Sequence, residues 1–303
     1  MSKRKLSPRG WMWLCLAALT ALRLVLAGQQ LAYVWVGGAP LDDELMFRAA
    51  NSISAGQWLG GYDYLTLSKA MFFPVWLALL HALHLPYLVG GAALWCAASL
   101  LAAFALRPLW AGKSAKSAAR RTAAVYAALA FLPSSWAAYT LRVYRDNIFP
   151  ALCLVFFAGW AGAALRAVLD DTAKLLPWLA AAGAGLACAY VTREDAGMFL
   201  LPFAAVATLI LLATFWVQKK PRRIAGLLLP YAMLAAGVLG FCGLNQRYYG
   251  VFALSDFSQG SFAAAMGAMM RVDTENEEPL LSVPQDARQK IVDAVPELQP
   301  VLA

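Results

Sequence analysis

The chain predicts an all-α, polytopic membrane protein: about seven transmembrane helices, with a long first outer loop carrying juxtamembrane helices. Three observations carry that reading. The residues are 61% hydrophobic and 14% charged, with mean hydropathy +0.60, where a soluble domain has about 45–50% apolar and about 25% charged residues. The apolar runs are each about long enough to cross roughly 30 Å as a helix, and none alternates with the period of two that a barrel strand shows. The basic residues gather in short segments between these runs, where they set orientation. The net charge of +8 therefore does not indicate a nucleic-acid partner.

The expected spans are 11–36, 87–107, 122–141, 148–168, 175–191, 197–217 and 224–244. The first follows the basic "MSKRK" and reads as an uncleaved anchor. Segments 1–10, 107–121, 166–174 and 218–223 hold 15 of the 25 Lys and Arg. Placing all four in the cytoplasm gives an alternating topology with the N-terminus inside, and of the 17 acids only Asp170 and Asp171 join them. The run "AMFFPVWLALLHALHL" (70–85) is too short to span, and a span there would move the basic 107–121 outside. It is expected at the outer interface. His81 and His84 near its end read as amphipathic residues at the water boundary.

The first outer loop, 37–86, thus holds an amphipathic helix over 42–57, the turn "LGGYDYLTLSK" and the interfacial helix. Residues 1–244 form the membrane module. Residues 245–303 are a polar outer segment with an acidic run, "DTENEE", and one short helix near 285–294. The cysteines Cys15, Cys96, Cys153, Cys188 and Cys242 all lie in apolar runs without metal-ligand spacing, and read as small core residues. The Gly-rich "AAGAGLACA" (181–189) lies within a helix and means close helix packing. No internal repeat is visible.

Charges collect at the outer ends of the helices, in "LDDE" (41–44), "LRVYRDN" (141–147), "TRED" (192–195) and "NQRYY" (245–249). A charge beside hydrocarbon is costly unless paired or functional. Asp42, after Pro40, can N-cap a helix whose dipole Asp43 and Glu44 favour, with Glu44 and Arg48 paired at i, i+4. The same carboxylates in a partly desolvated cleft can act as a general base. Lys69, Arg142, Arg145 and Arg193 can simply pair with Asp146, Glu194 and Asp195, or can form a phosphate clamp at the bilayer surface. Arg23, inside the first span, reads as facing the bundle or snorkelling.

Together these features resemble the GT-C superfamily of polyprenyl-phosphate-dependent glycosyltransferases, which includes protein mannosyltransferases and lipid A aminoarabinose transferases. "DDELMFRAANSISAGQWLGGYDYLTLSKAMFFPVWLAL" (42–79), "YRDNIFPAL" (144–152) and "TREDAG" (192–197) are similar to the outer-loop signatures of a bacterial subgroup. The resemblance implies a seven-helix module and a transferase of the cytoplasmic membrane. Its partners would be a lipid-linked sugar donor, membrane lipid, and a glycan, lipid or protein acceptor. Asp42 matches the catalytic aspartate and Asp43 its acidic neighbour. Lys69 matches the residue that meets the lipid phosphate, assisted by Arg142, Arg145 and Arg193. Asp146, Glu194 and Asp195 would position the acceptor or, in some branches, a divalent cation (Mg or Mn). Ala70-Met71 stands where many relatives have Gly-Pro. Many relatives also continue beyond the point matching Ala303, which implies a short or truncated member. A secondary transporter or lipid flippase, and a non-catalytic membrane subunit, are the alternatives.

Overall fold

A computed structural model describes residues 7–34, 41–63, 65–170, 174–275 and 279–302. The first six residues, the end of the first expected span beyond Val34, Asp171 and residues 276–278 of the acidic run lie outside them. Among the described residues there is no strand, only an isolated parallel bridge between Tyr33 and Arg142. The principal helices are α1 (Pro8–Gly28), α2 (Leu41–Ser54), α3 (Phe72–Ala82), α4 (Tyr87–Ala105), α5 (Ala115–Ala130), α6 (Phe149–Leu169), α7 (Leu176–Tyr190), α8 (Ala196–Val217), α9 (Leu229–Tyr249), α10 (Ser261–Met269) and α11 (Gln285–Ala294).

Among the described residues, five segments are long and apolar enough to cross a membrane: Pro8–Gly28, Tyr87–Ala105, Arg145–Leu169, Ala196–Val217 and Pro221–Tyr249. Large apolar side chains lie exposed along them, among them Trp13, Leu14, Val25, Met198, Leu209, Ile210 and Trp216. Such faces belong against lipid. The chain is an α-helical, membrane-embedded protein.

Two expected spans come out short. Instead of 122–141, α5 covers Ala115–Ala130. The Ser114 hydroxyl caps it by accepting from the Ser117 N–H, so the helix starts inside the basic segment, and a separate turn at Pro133 follows its end. Helix α7 has 15 residues, about 22 Å at 1.5 Å per residue. It is framed by Pro177 and the polar "TRED". Helix α9 runs past its expected end at 244, through "NQRYY", and stops at Gly250, which takes the left-handed conformation at φ 72°. The segment 245–303 holds the expected helix near 285–294 as α11, and also the apolar α10.

Helix α7 packs along α6 on one side and α9 on the other, α4 packs on α6, and α1 lies against α4 and α5. A Cβ on Gly185 would strike the backbone of Phe156, and one on Gly159 that of Ala182. The glycine-rich stretch is thus a close helix crossing, as its composition predicts.

The bundle has two chemically distinct ends. At one, cavities between helix ends are lined by Arg107, Lys113 and Arg166, by Lys116 and Arg120, and by Lys174, Arg222 and Arg223. At the other lie α2, α3 and the segments 140–147 and 192–195. Buried Leu45, Met46, Leu67, Met71 and Phe73 join these to one core with Ile148, Leu152 and Phe156 of the bundle.

Candidate functional site

Helix α2 supplies the first acids. Its buried positions Leu45, Met46, Ala49 and Ala50 recur at helical spacing and press it onto α3. Asp42, Asp43 and Glu44 occupy its first turn. The helix starts at Leu41, so Asp42 is not the N-cap that the sequence suggests. Arg48 pairs with Asp63 at 2.7 Å rather than with Glu44, which is exposed. Asp63 in turn accepts from the Leu65 N–H and the Thr66 hydroxyl, tying the turn that leads to Lys69.

The two aspartates differ sharply. The Asp43 side chain is 0% exposed and is gripped by both Nε and Nη2 of Arg142. The Asp42 side chain is 38% exposed. Its Oδ2 lies 3.6 Å from Lys69 Nζ and accepts from the Tyr144 hydroxyl at 2.9 Å.

Tyr144 is the hub. Its hydroxyl donates to Asp42 and accepts from Arg145 Nη2 at 2.8 Å. Its ring lies 4.6 Å from the Arg142 guanidinium and 5.0 Å from that of Arg145. Burial, helped by the Asp42 carboxylate and opposed by the Arg145 charge, pushes its phenol up to about 12, so it stays protonated and donates. The backbone here is pinned from two sides. Tyr33 N–H donates to Leu141 O and Val143 N–H to Tyr33 O. The Tyr87 hydroxyl donates to the carbonyls of Arg142 and Tyr144.

Arg145 is buried and donates through Nη1 to both Glu194 oxygens, at 2.9 and 3.1 Å, and to Thr192 O. Glu194 also accepts the Ala70 N–H at 2.6 Å. Burial works to raise the Glu194 carboxyl, but the Arg145 charge and the Ala70 N–H outweigh it and hold it below the usual range. Arg193 lies between Asp146, at 2.9 Å, and Asp195, which takes its Nε and Nη2 at 3.0 Å each. That paired hydrogen bond holds the Asp195 carboxyl low.

A continuous polar chain therefore runs Lys69–Asp42–Tyr144–Arg145–Glu194, flanked by Asp43–Arg142 and by Asp146–Arg193–Asp195. All nine residues to which the resemblance assigns roles lie in this chain or in the pairs that flank it. Tyr144 is the member that sequence reading missed, and its one signal is an aromatic set between two arginines in "RVYRDN". Asp146, Glu194 and Asp195 are spent on arginines rather than gathered as an open oxygen set. Among the described residues no group of three or more His, Cys, Asp or Glu side chains is placed to hold a metal ion.

The segment from residue 245 onward braces this site, which its composition did not suggest. Asp256 N–H donates to Leu67 O at 2.8 Å, two residues before Lys69. The Tyr62 hydroxyl donates to Asp256, Tyr249 to Gly60 O, and Trp58 Nε1 to Asn245 Oδ1. By contrast, His81 and His84 are exposed at the end of α3, where a His84 ring nitrogen lies 3.0 Å from the His81 carbonyl oxygen. They take no part in the site.

No protein-family model, no curated protein and no solved structure matches the chain.

Proposed function

We propose that the chain is an inverting membrane glycosyltransferase that moves a sugar from a polyprenyl-phosphate donor to an acceptor at the extracytoplasmic face of a bacterial cytoplasmic membrane. The spans then number about seven, with the short α5 and α7 crossing inside the bundle and the N-terminus in the cytoplasm. One observation carries the reading: a half-exposed carboxylate, Asp42, held between an ammonium and a tyrosine hydroxyl at the charged end of an apolar bundle. A lipid-borne donor explains why such a site sits at a membrane boundary.

In this reading Asp42 takes the proton from the acceptor's hydroxyl or amine as that group attacks the anomeric carbon. The new bond forms on the face opposite the phosphate, the bond from the anomeric carbon to the phosphate oxygen breaks, and its electron pair leaves with the phosphate. Lys69 stabilises that growing charge as a compact cation. Asp43 and Arg142 position the turn rather than react. Arg145 and Glu194 hold Tyr144, and Tyr144 orients Asp42.

The test is turnover of polyprenyl-phosphate sugars by the purified protein. Asp42→Asn is expected to lower turnover by about 10²–10⁴-fold, the usual worth of a positioned general base. Full activity in the Asp42→Asn, Asp43→Asn double variant sinks the mechanism. Concentrative uptake into proteoliposomes without glycosyl transfer replaces the reading with a transporter, and a stoichiometric partner with no turnover replaces it with a non-catalytic subunit.

A further inference from the structure

Behind the 144–147 turn, between α1, α4 and the segment 134–147, lies a second polar space that the transfer chemistry does not use. It is a cavity of about 40 Å³ walled by Arg23, Gly91, Trp95, Ser135, Asp146 and Asn147, among others. Arg23 comes from the interior of α1 and is 4% exposed. Its Nη2 donates to Ser135 O at 3.0 Å and its guanidinium lies 3.7 Å from the Trp136 ring centre. Its Nε and Nη1 are buried with no hydrogen-bond partner among the described residues. Asn147 Oδ1 is buried and unpartnered in the same sense, while its Nδ2 donates to Thr140 O. A buried charge with two unused donors, sharing a cavity with an unused acceptor, is costly to leave empty-handed.

The unmet groups define what fits. Arg23 needs acceptors, whereas Asn147 needs a donor, and the Asp146 carboxylate on the same wall accepts as well. A bare anion satisfies the first and repels the last. A hydroxyl does both jobs, because it donates and accepts at once. A water needs roughly 10–15 Å³, so the cavity of about 40 Å³ takes about three or four hydroxyl-sized groups, enough for one edge of a sugar ring. Gly91 leaves this room, since a Cβ there would strike the Asn147 amide.

We propose that this cavity is a saccharide subsite: it binds adjacent hydroxyls of a sugar, with Arg23 donating and Asn147 and Asp146 accepting. The proposal rests on the glycosyltransferase reading and deepens it, because Asp146 lines the cavity and also pairs with Arg193 in the charged group that flanks the Asp42 network. The sugar arrives on the lipid donor or on a glycan acceptor.

Saturation-transfer NMR on the full chain in detergent tests it, using methyl glycosides of glucose, mannose, galactose and arabinose as probes. Transfer to ring protons flanking adjacent hydroxyls is expected for at least one glycoside. It should fall at least fivefold in Arg23→Met and in Gly91→Ala, and less in Arg23→Lys. An undecaprenyl-phosphate-linked sugar that displaces the probe marks the donor as the source, and a soluble oligosaccharide that does so marks the acceptor. Displacement by neither overturns the proposal. So does signal that survives both Arg23→Met and Gly91→Ala, or displacement of the probe from the wild-type protein by phosphate or chloride alone. Saturation transfer without turnover defeats the transferase reading and leaves the subsite standing. Turnover with no saturation transfer does the reverse.

Discussion

The two neighbouring aspartates of "LDDE" have opposite jobs, and burial separates them. Asp43 has lost all contact with solvent and is paired with Arg142. Removing one member of such a pair strands the other, which costs about 3–5 kcal/mol. Asp43→Asn should therefore lower the thermal midpoint of the detergent-solubilised protein markedly, whereas Asp42→Asn, at a half-exposed position, should leave it nearly unchanged. Tyr144→Phe removes the hydroxyl that donates to Asp42 and accepts from Arg145. A hydrogen bond to a charged group is worth about 1.5–3 kcal/mol. If Tyr144 orients the base, kcat falls about tenfold or more with KM little changed; a fall in kcat accompanied by a raised KM would make it a mere packing residue.

Among the elements, the α6–α7 crossing is the tightest joint near the site. It carries Arg145 and Thr192 at adjacent helix ends, so its spacing sets whether Arg145 reaches Glu194. Gly185→Val forces the helices apart at Phe156. Overpacking of this kind costs about 1–3 kcal/mol, and here it should also reduce activity, because the joint positions the network. A thermal-shift assay paired with turnover measures both effects. The segment from residue 245 onward acts as a brace of a different kind. Its bonds to Trp58, Gly60, Tyr62 and Leu67 hold the turn that ends at Lys69. Asn245→Ala leaves Trp58 Nε1 and Ala253 O without their partner, and should raise the KM for donor through a looser Lys69 while Asp42 remains in place.

At the scale of the molecule, charge is segregated between the two ends of the bundle, and that segregation predicts both a topology and an acid response. The cations of 107–121 and 218–223 are expected on the side opposite Asp42. Single cysteines are placed at Lys113 and Glu44 in a chain whose native cysteines are replaced; the one at Glu44 should react with an impermeant maleimide in intact cells, and the one at Lys113 only after the membrane is permeabilised. At the site end, Glu194 is held below its ordinary value of 4.5. A depressed folded-state pKa contributes stability that is complete above the ordinary value and disappears as pH falls through the folded one. The unfolding midpoint should thus drop as the medium becomes more acidic than the ordinary carboxylate range, and Glu194→Gln should flatten that drop while lowering stability near neutrality.

Hydropathy, loop charge and residue spacing were enough to establish an α-helical, membrane-embedded chain, the separate α2 and α3 ahead of α4, and a close packing role for the glycines of 181–189. Those properties depend on composition and short-range pattern, which a linear chain displays directly. The nine charged residues of the candidate site were also legible, because charge beside hydrocarbon stands out against so apolar a background. Which of them touch was not. The pairing of Arg48 with Asp63, the burial of Asp43 against an arginine far along the chain, the hub role of Tyr144 and the brace from residues 245–256 all join segments remote in sequence. Only the packing of α2 and α3 against the bundle decided them, by bringing some side chains out of solvent and leaving Asp42 partly in it.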